Sequence, residues 1–265
     1  MGVNPTDPDR RARGADPSHQ SSEQLSDGPS ALAVHLPPLL ATAGVRTVQL
    51  DVLTRAESFR GATVSPQAQK VTGPAREEHR RRHFGFWEFV LAQASSTDTE
   101  TRQGLIHGAL RHNSSETITL RMDHHEFSTA LADGAFTGLR SRTIVSLTSH
   151  IPDSADPCAG AQEFHLPMLD LGLAVSPESL DTCVAAIAAL GVRGLLLQSG
   201  RSYHFIGNQP LSLQELTRFL ARAQLLSPIV DARWASHQLL DGQCGLRIST
   251  DLETALPPHQ FSALV

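Results

Sequence analysis

Four short stretches towards the C-terminal end carry side chains able to do chemistry. Asp170, in Leu169-Asp-Leu-Gly172, is a carboxylate inside an otherwise apolar run. A carboxylate taken out of water needs a metal, a cation or several hydrogen bonds. Ser199-Gly-Arg-Ser-Tyr-His204 sets a hydroxyl, the Arg201 guanidinium and an imidazole around a glycine that permits close backbone approach. Those groups suit a phosphate. Asp231 opens the stretch Asp231-Ala-Arg-Trp-Ala-Ser-His237. Gly245-Leu-Arg-Ile-Ser249 puts Arg247 and Ser249 on one face of a strand. Each group also has an ordinary structural role open to it. Asp170 could close its strand and start a turn. His204 could be a satisfied core histidine, Asp231 sits where a helix N-cap belongs, and Arg247 could pair with an acid.

The elements that must position these groups are legible in the patterning. Phe164–Ala174 reads as a strand around Asp170. Ser176-Pro177 starts a helix, with serine as N-cap and proline at the first helical position. Val184, Ile187 and Leu190 give its buried stripe, and Gly191 ends it. Val192–Gln198 is a strand whose continuous Leu195-Leu-Leu197 run predicts cover on both faces. Ser199-Gly200 breaks it before a strand over Tyr203–Ile206. Ser212-Leu-Gln-Glu215 is a capping box opening a helix with Leu213, Leu216, Leu220 and Ala223 on one face. A short helix over Ala232–Leu240 stops at Gly242, and Leu246–Ser249 is a last strand. This order predicts an α+β sheet with helices on one face.

Upstream the patterning is thinner. Thr47–Leu53 and Thr117–Met122 alternate as strands, and Arg142–Thr148 reads as a third. Residues 55–76 and 95–103 read as loops, with a helix over Glu77–Ala94. The Pro37-Pro38 pair argues against a long helix over residues 31–45. Residues 1–30 hold almost no apolar side chain and are expected to be disordered. Residues 152–161 read as a loop and a possible boundary.

Taken in order, the strand bearing Asp170, the Ser199-Gly-Arg-Ser-Tyr-His204 turn and the later Asp231 resemble the archaeo-eukaryotic primase superfamily, in its bacterial primase-like branch. That family's motifs are an Asp-x-Asp on a strand, a Ser-x-His type turn and a later single Asp. The resemblance covers about residues 161–260. It implies an α+β, RNA-recognition-motif-like sheet with an N-terminal α/β unit beside it. The expected organisation is therefore a disordered tail over 1–40, a subdomain of unassigned role over 41–155, and a primase-like module over 156–265.

The resemblance further implies a primase or primase-polymerase, a nucleotidyltransferase of DNA replication. Asp170 and Asp231 would be the metal ligands, holding Mg²⁺ or Mn²⁺, and His204 would contact phosphates of the nucleoside triphosphate. Two metals clamp the attacking and leaving oxygens of an in-line displacement, and carboxylates hold them. Asp170, His204 and Asp231 are the candidate catalytic residues, and Ser199, Arg201, Arg247 and Ser249 the candidate phosphate-binding ones. The first motif departs from the pattern. It reads Asp170-Leu-Gly172, so strand alternation leaves no side chain where the second acid would stand. An inactive module that binds nucleotide or single-stranded nucleic acid is the alternative. So is an interaction protein in which Asp231 is only a helix cap.

Two further clusters contain suggestive residue types. Asp123-His-His-Glu126 offers metal-type groups, but consecutive positions point in different directions. His79-Arg-Arg-Arg-His83 precedes Phe84-Gly-Phe-Trp87, a pattern that could track single-stranded nucleic acid or simply be a solvated helix start.

The composition bounds the rest. The 265 residues carry a net charge of −5, and 21 of the 22 basic residues are arginine. Residues 1–40, 41–160 and 161–265 carry net charges of −2, 0 and −3. No part is strongly basic, which argues against a broad duplex-DNA footprint. Three cysteines without a CxxC pair argue against a zinc ribbon or disulfide framework and predict a reducing, cytoplasmic setting. No apolar run approaches 18 residues, so no membrane span is predicted, and no apolar signal core stands at the N-terminus. The sequence names no protein partner.

Overall fold

The computed structural model describes residues 30–54, 66–82, 85–110, 117–139, 143–152, 163–250 and 260–265. Of the disordered tail expected over 1–40, residues 1–29 lie outside them, as do residues 153–161 of the loop expected over 152–161; residues 31–40 are helical, contrary to the expectation. Ser30 caps α1 (Ala31–Thr42), its hydroxyl accepting from the Ala33 amide at 3.2 Å. The Pro37-Pro38 pair does not prevent this helix, contrary to the sequence expectation. Each proline inside a helix costs about 3 kcal/mol. Leu32, Leu36, Leu39 and Leu40 are buried at helical spacing, and each buried leucine returns about 1.5–3 kcal/mol. His124 also donates from Nε2 to the Pro37 carbonyl at 2.9 Å.

The first sheet is antiparallel, in the order β10-β3-β1-β2. Its strands are β1 (Thr47–Thr54), β2 (Thr117–Asp123), β3 (Thr143–Thr148) and β10 (Gly245–Arg247). The three upstream strands lie where alternation placed them. β2 is an edge, however, and its Ile118 and Leu120 face outwards. The fourth strand comes from far downstream, so the chain-order division near residue 155 does not separate the sheets: Leu246 pairs with Leu147.

The second sheet, in the order β11-β7-β8-β6, is also antiparallel. It contains β6 (Met168–Leu171), β7 (Gly194–Ser199), β8 (Ser202–Gly207) and β11 (Gln260–Leu264). The β11 strand has no counterpart in the sequence reading. The single strand expected over Phe164–Ala174 is in fact two, β5 (Phe164–His165) and β6, divided at Leu166-Pro167, because proline cannot donate to a ladder. β5 joins β4 (His150–Ile151) and β9 (Leu211–Ser212) in a small third sheet.

Helices α6 (Pro177–Leu190), α7 (Leu213–Gln224) and α8 (Ala232–Asp241) follow their caps. Ser176 accepts from Ser179, Ser212 and Glu215 close the capping box, and Gly191 and Gly242 terminate in the left-handed region. One apolar core joins both larger sheets, from Val48, Leu50 and Leu147 to Leu169, Leu195 and Phe205.

Between β1 and β2 the described parts of the expected loops are largely helical. α2 (Pro66–Arg82), α3 (Phe86–Gln93) and α4 (Thr99–Leu110) surround a separate small core of Ala68, Ala75, Phe86, Val90, Ala94 and Leu105. The predicted helix over Glu77–Ala94 is two helices, with Gly85 at the N-cap of the second. The polar start of α4 hides a cap, since Asp98 accepts from the Thr101 amide at 2.9 Å and from its hydroxyl at 2.8 Å. Among the described residues no helix is long and apolar enough to cross a membrane.

Candidate functional site

β6 and β8 pair so that Asp170 stands directly opposite His204. Both side chains leave the same face, and His204 Nε2 lies 3.8 Å from Asp170 Oδ1. β7 continues that face: Leu197 is opposite His204, and Ser199 is opposite Ser202. Tyr203 points to the other face, where its hydroxyl donates to the Ser176 carbonyl at 3.0 Å and anchors the start of α6. Tyr203 thus faces the start of α6, while Asp170 and His204 leave the opposite face.

Asp231 reaches this cluster through backbone pairing. Its amide donates to the Asp170 carbonyl at 3.0 Å, Leu171 bridges Val230, and the Gly172 amide donates to the Ile229 carbonyl at 2.9 Å. The segment ending at Asp231 thus lies along β6 as a short extra strand. Asp231 is also the N-cap of α8, with Oδ1 accepting from the Arg233 and Trp234 amides, each at 2.9 Å. The cap reading of Asp231 is met, and the same side chain lies close enough for its charge to act on Asp170. Trp234 in turn donates from Nε1 to the Gly245 carbonyl at 3.3 Å, tying α8 to the strand that carries Arg247.

The electrostatics follow from this packing. Burial first, and then the neighbouring Asp231 charge, together push the Asp170 carboxyl up to about 7 against the opposing pull of Arg247. The Asp170 side chain still keeps 30% of its surface, enough for a ligand to reach it.

Asp170, His204, Asp231 and Arg247 therefore come together. Ser199 is buried on the same sheet face, and Arg201 is exposed in the two-residue turn beside it, where Gly200 takes a φ of +75°. Ser249 stands apart from the cluster. The strand ends at Arg247, and Ser249 is buried, with its hydroxyl oxygen accepting from the Val145 amide at 3.0 Å. Its carbonyl accepts from Arg247 Nη1 at 2.6 Å, so Ser249 orients the arginine.

Asp123-His-His-Glu126 is the capping box that starts α5 (His124–Ala132), with Asp123 accepting from the His125 and Glu126 amides. Residues 79–82 of the His79–His83 run end α2; their side chains and all of His83 lie outside the described residues. Arg233 and Trp87 escaped the sequence reading as a pair. The Arg233 guanidinium stacks 5.2 Å from the Trp87 ring centroid and donates to the Ala109 carbonyl, binding α3 and α4 to the first turn of α8. Their only sequence signal is an arginine two residues after Asp231.

Residues 123–260, just over half of the chain, match the family described as AEP-like, archaeo-eukaryotic primase 1D-like. The chain belongs to this family. No curated protein and no solved structure matches it. The primase-like assignment agrees with the mixed α+β architecture, and the matched span contains every member of the cluster around Asp170.

Primase-like proteins usually use divalent metals. The donors at this site are hard oxygens of the kind Mg²⁺ and Mn²⁺ prefer. Two mutually repelling carboxylates are also what a divalent cation relieves. Asp170 and Asp231 would be the residues to hold such an ion, which would supply charge neutralisation for phosphate oxygens. Among the described residues no group of three His, Cys, Asp or Glu side chains is arranged to hold a metal ion.

Proposed function

We propose that this primase-like chain binds a nucleoside triphosphate together with one divalent cation, Mg²⁺ or Mn²⁺, at the Asp170–Asp231 cleft. The observation that carries this reading is the backbone pairing that seats Asp231 beside Asp170, its amide donating to the Asp170 carbonyl at 3.0 Å, close enough for the charges of Asp231 and Arg247 to act on the Asp170 carboxyl. Asp170 and Asp231 hold the cation. Arg247 and Arg201 present guanidinium forks to the phosphates, a geometry arginine matches closely. His204, with Nε2 3.8 Å from Asp170 Oδ1, contacts the phosphates in this reading. Single-stranded nucleic acid is the macromolecular partner that the family resemblance supports. Mn²⁺ titration followed by electron paramagnetic resonance, with and without nucleoside triphosphates, tests the site. Binding that weakens at least tenfold in Asp170→Asn supports it; wild-type protein that binds neither ion nor nucleotide overturns it.

A second reading is primase-like nucleotidyl transfer, with the binding site also serving as an active site. It is favoured by Asp170, His204 and Asp231 being neighbours in space, as the family's motif order requires. It is disfavoured by the missing third acid, since the two-metal arrangement draws on more carboxylates than these. Primer synthesis on a single-stranded template with Mn²⁺ separates the readings. Product that disappears in Asp170→Ala supports transfer, and no product despite nucleotide binding supports the binding module.

A further inference from the structure

Gly172 follows Asp170 by two residues and so belongs to the same face of its strand. Its backbone does not need glycine, because its φ is not among the positive values found at Gly44, Gly134, Gly138, Gly191, Gly200 and Gly242. The space around it does. A Cβ at this position would stand 2.9 Å from the Pro228 carbonyl oxygen. That oxygen is backbone and cannot swing aside like the end of a long side chain. From the close approach towards Asp231 run the bonds that seat the segment: Gly172 amide to Ile229 carbonyl at 2.9 Å, and Asp231 amide to Asp170 carbonyl at 3.0 Å.

We infer that Gly172 is a positioning residue: its missing side chain lets the segment Pro228–Asp231 lie against β6, and this docking delivers Asp231 to Asp170. The inference rests on the proposed role of that acid pair. It changes the meaning of the glycine. The place where a second strand acid would begin is filled by the Pro228 carbonyl, so the glycine is part of how the pair is assembled. A carboxylate added there has to displace the segment that carries Asp231.

Two variants and two readouts test this. Gly172→Ala adds one methyl group, and Gly172→Asp adds the acid a lost-ligand view would restore. Amide hydrogen exchange by nuclear magnetic resonance reads the docking directly at the Asp231 amide, without any ligand. Mn²⁺ affinity reads its consequence. In both variants the Asp231 amide is expected to exchange at least tenfold faster, while amides in β7 and β8 keep their wild-type protection. Mn²⁺ binding is expected to weaken at least tenfold, in Gly172→Asp as in Gly172→Ala, despite the added charge. Tighter Mn²⁺ binding by Gly172→Asp with the Asp231 amide still protected would overturn the inference. Unchanged Asp231 protection in Gly172→Ala would overturn it as well. If wild-type protein binds neither Mn²⁺ nor nucleotide, the proposed function fails, and the exchange data alone still decide whether Gly172 seats the segment.

Discussion

The antiparallel body and the helical cluster between β1 and β2 bury very different side chains. In the body Phe205, Met168, Leu169 and Leu195 are wholly enclosed. In the cluster three of the six buried apolar side chains described are alanines, and α2 carries Pro74 within its length. Apolar area sets the hydrophobic return, at about 25 cal/mol per Å², so small side chains leave the cluster the weaker of the two. Its described link to α8 is Arg233, held by Trp87 and the Ala109 carbonyl. Weakly cored elements open first and are free to move against a rigid frame. The candidate site sits on the rigid side, with the looser helices attached two residues beyond Asp231.

The sharpest way to break this comparison is Phe205→Ala. Loss of a fully buried phenylalanine in the body is expected to cost about 3–5 kcal/mol, seen as a large drop in the urea midpoint for the whole chain. If only local opening results, the body is not one cooperative unit. Next comes Asp170→Asn. The wild-type carboxyl is raised from 3.8 to about 7, so the folded state binds the proton more tightly than the unfolded state. Its contribution is full below pH 4 and is lost as pH rises through 7. The asparagine variant is therefore expected to gain stability over wild type at pH 8.5 and to show no such gain at pH 4. The raised value corresponds to at most about 4 kcal/mol, and the gain is expected to be smaller because the side chain keeps part of its hydration. A gain equal at both pH values would contradict the burial of this acid.

Val90→Ala, in the helical cluster, is expected to cost about 2 kcal/mol, confined to α2–α4 in hydrogen exchange. A uniform loss of protection would show that the two regions unfold together. Arg233→Ala removes one cation–π contact and one hydrogen bond, together worth about 1–2 kcal/mol. It should loosen α3 and α4 while β6–β8 keep their protection. The smallest stability effect belongs to Asp231→Asn, because asparagine caps a helix as well as aspartate. Thermal melting should scarcely change while Mn²⁺ affinity falls, which separates the cap from the charge. Asp231→Ala should lose both.

How much of this could be read from the chain depends on range. Local rules placed α6, α7 and α8 by their caps and located Asp170, His204 and Asp231 by residue type and order. They missed α1 because two prolines outweigh a leucine stripe locally, and only the buried packing of those leucines restores the helix. They missed α4 because its first turn is polar, the cap being supplied by Asp98. The pairing of β10 with β3, the contact of Pro228 with Gly172 and the Arg233–Trp87 stack join residues far apart in sequence. No periodicity encodes such contacts, and Gly172 could be read from its neighbours only as an absent acid.

The position of β10 also bears on synthesis. Strand β3 ends at Thr148, and its outer partner, Gly245–Arg247, emerges about 100 residues later. At roughly 5–20 residues per second, translation leaves the growing first sheet with an unpaired margin for about 5–20 s. Such a margin is a template for pairing with other chains. A nascent chain stalled in that window would be the form most prone to aggregate, and the one on which a ribosome-associated chaperone would act.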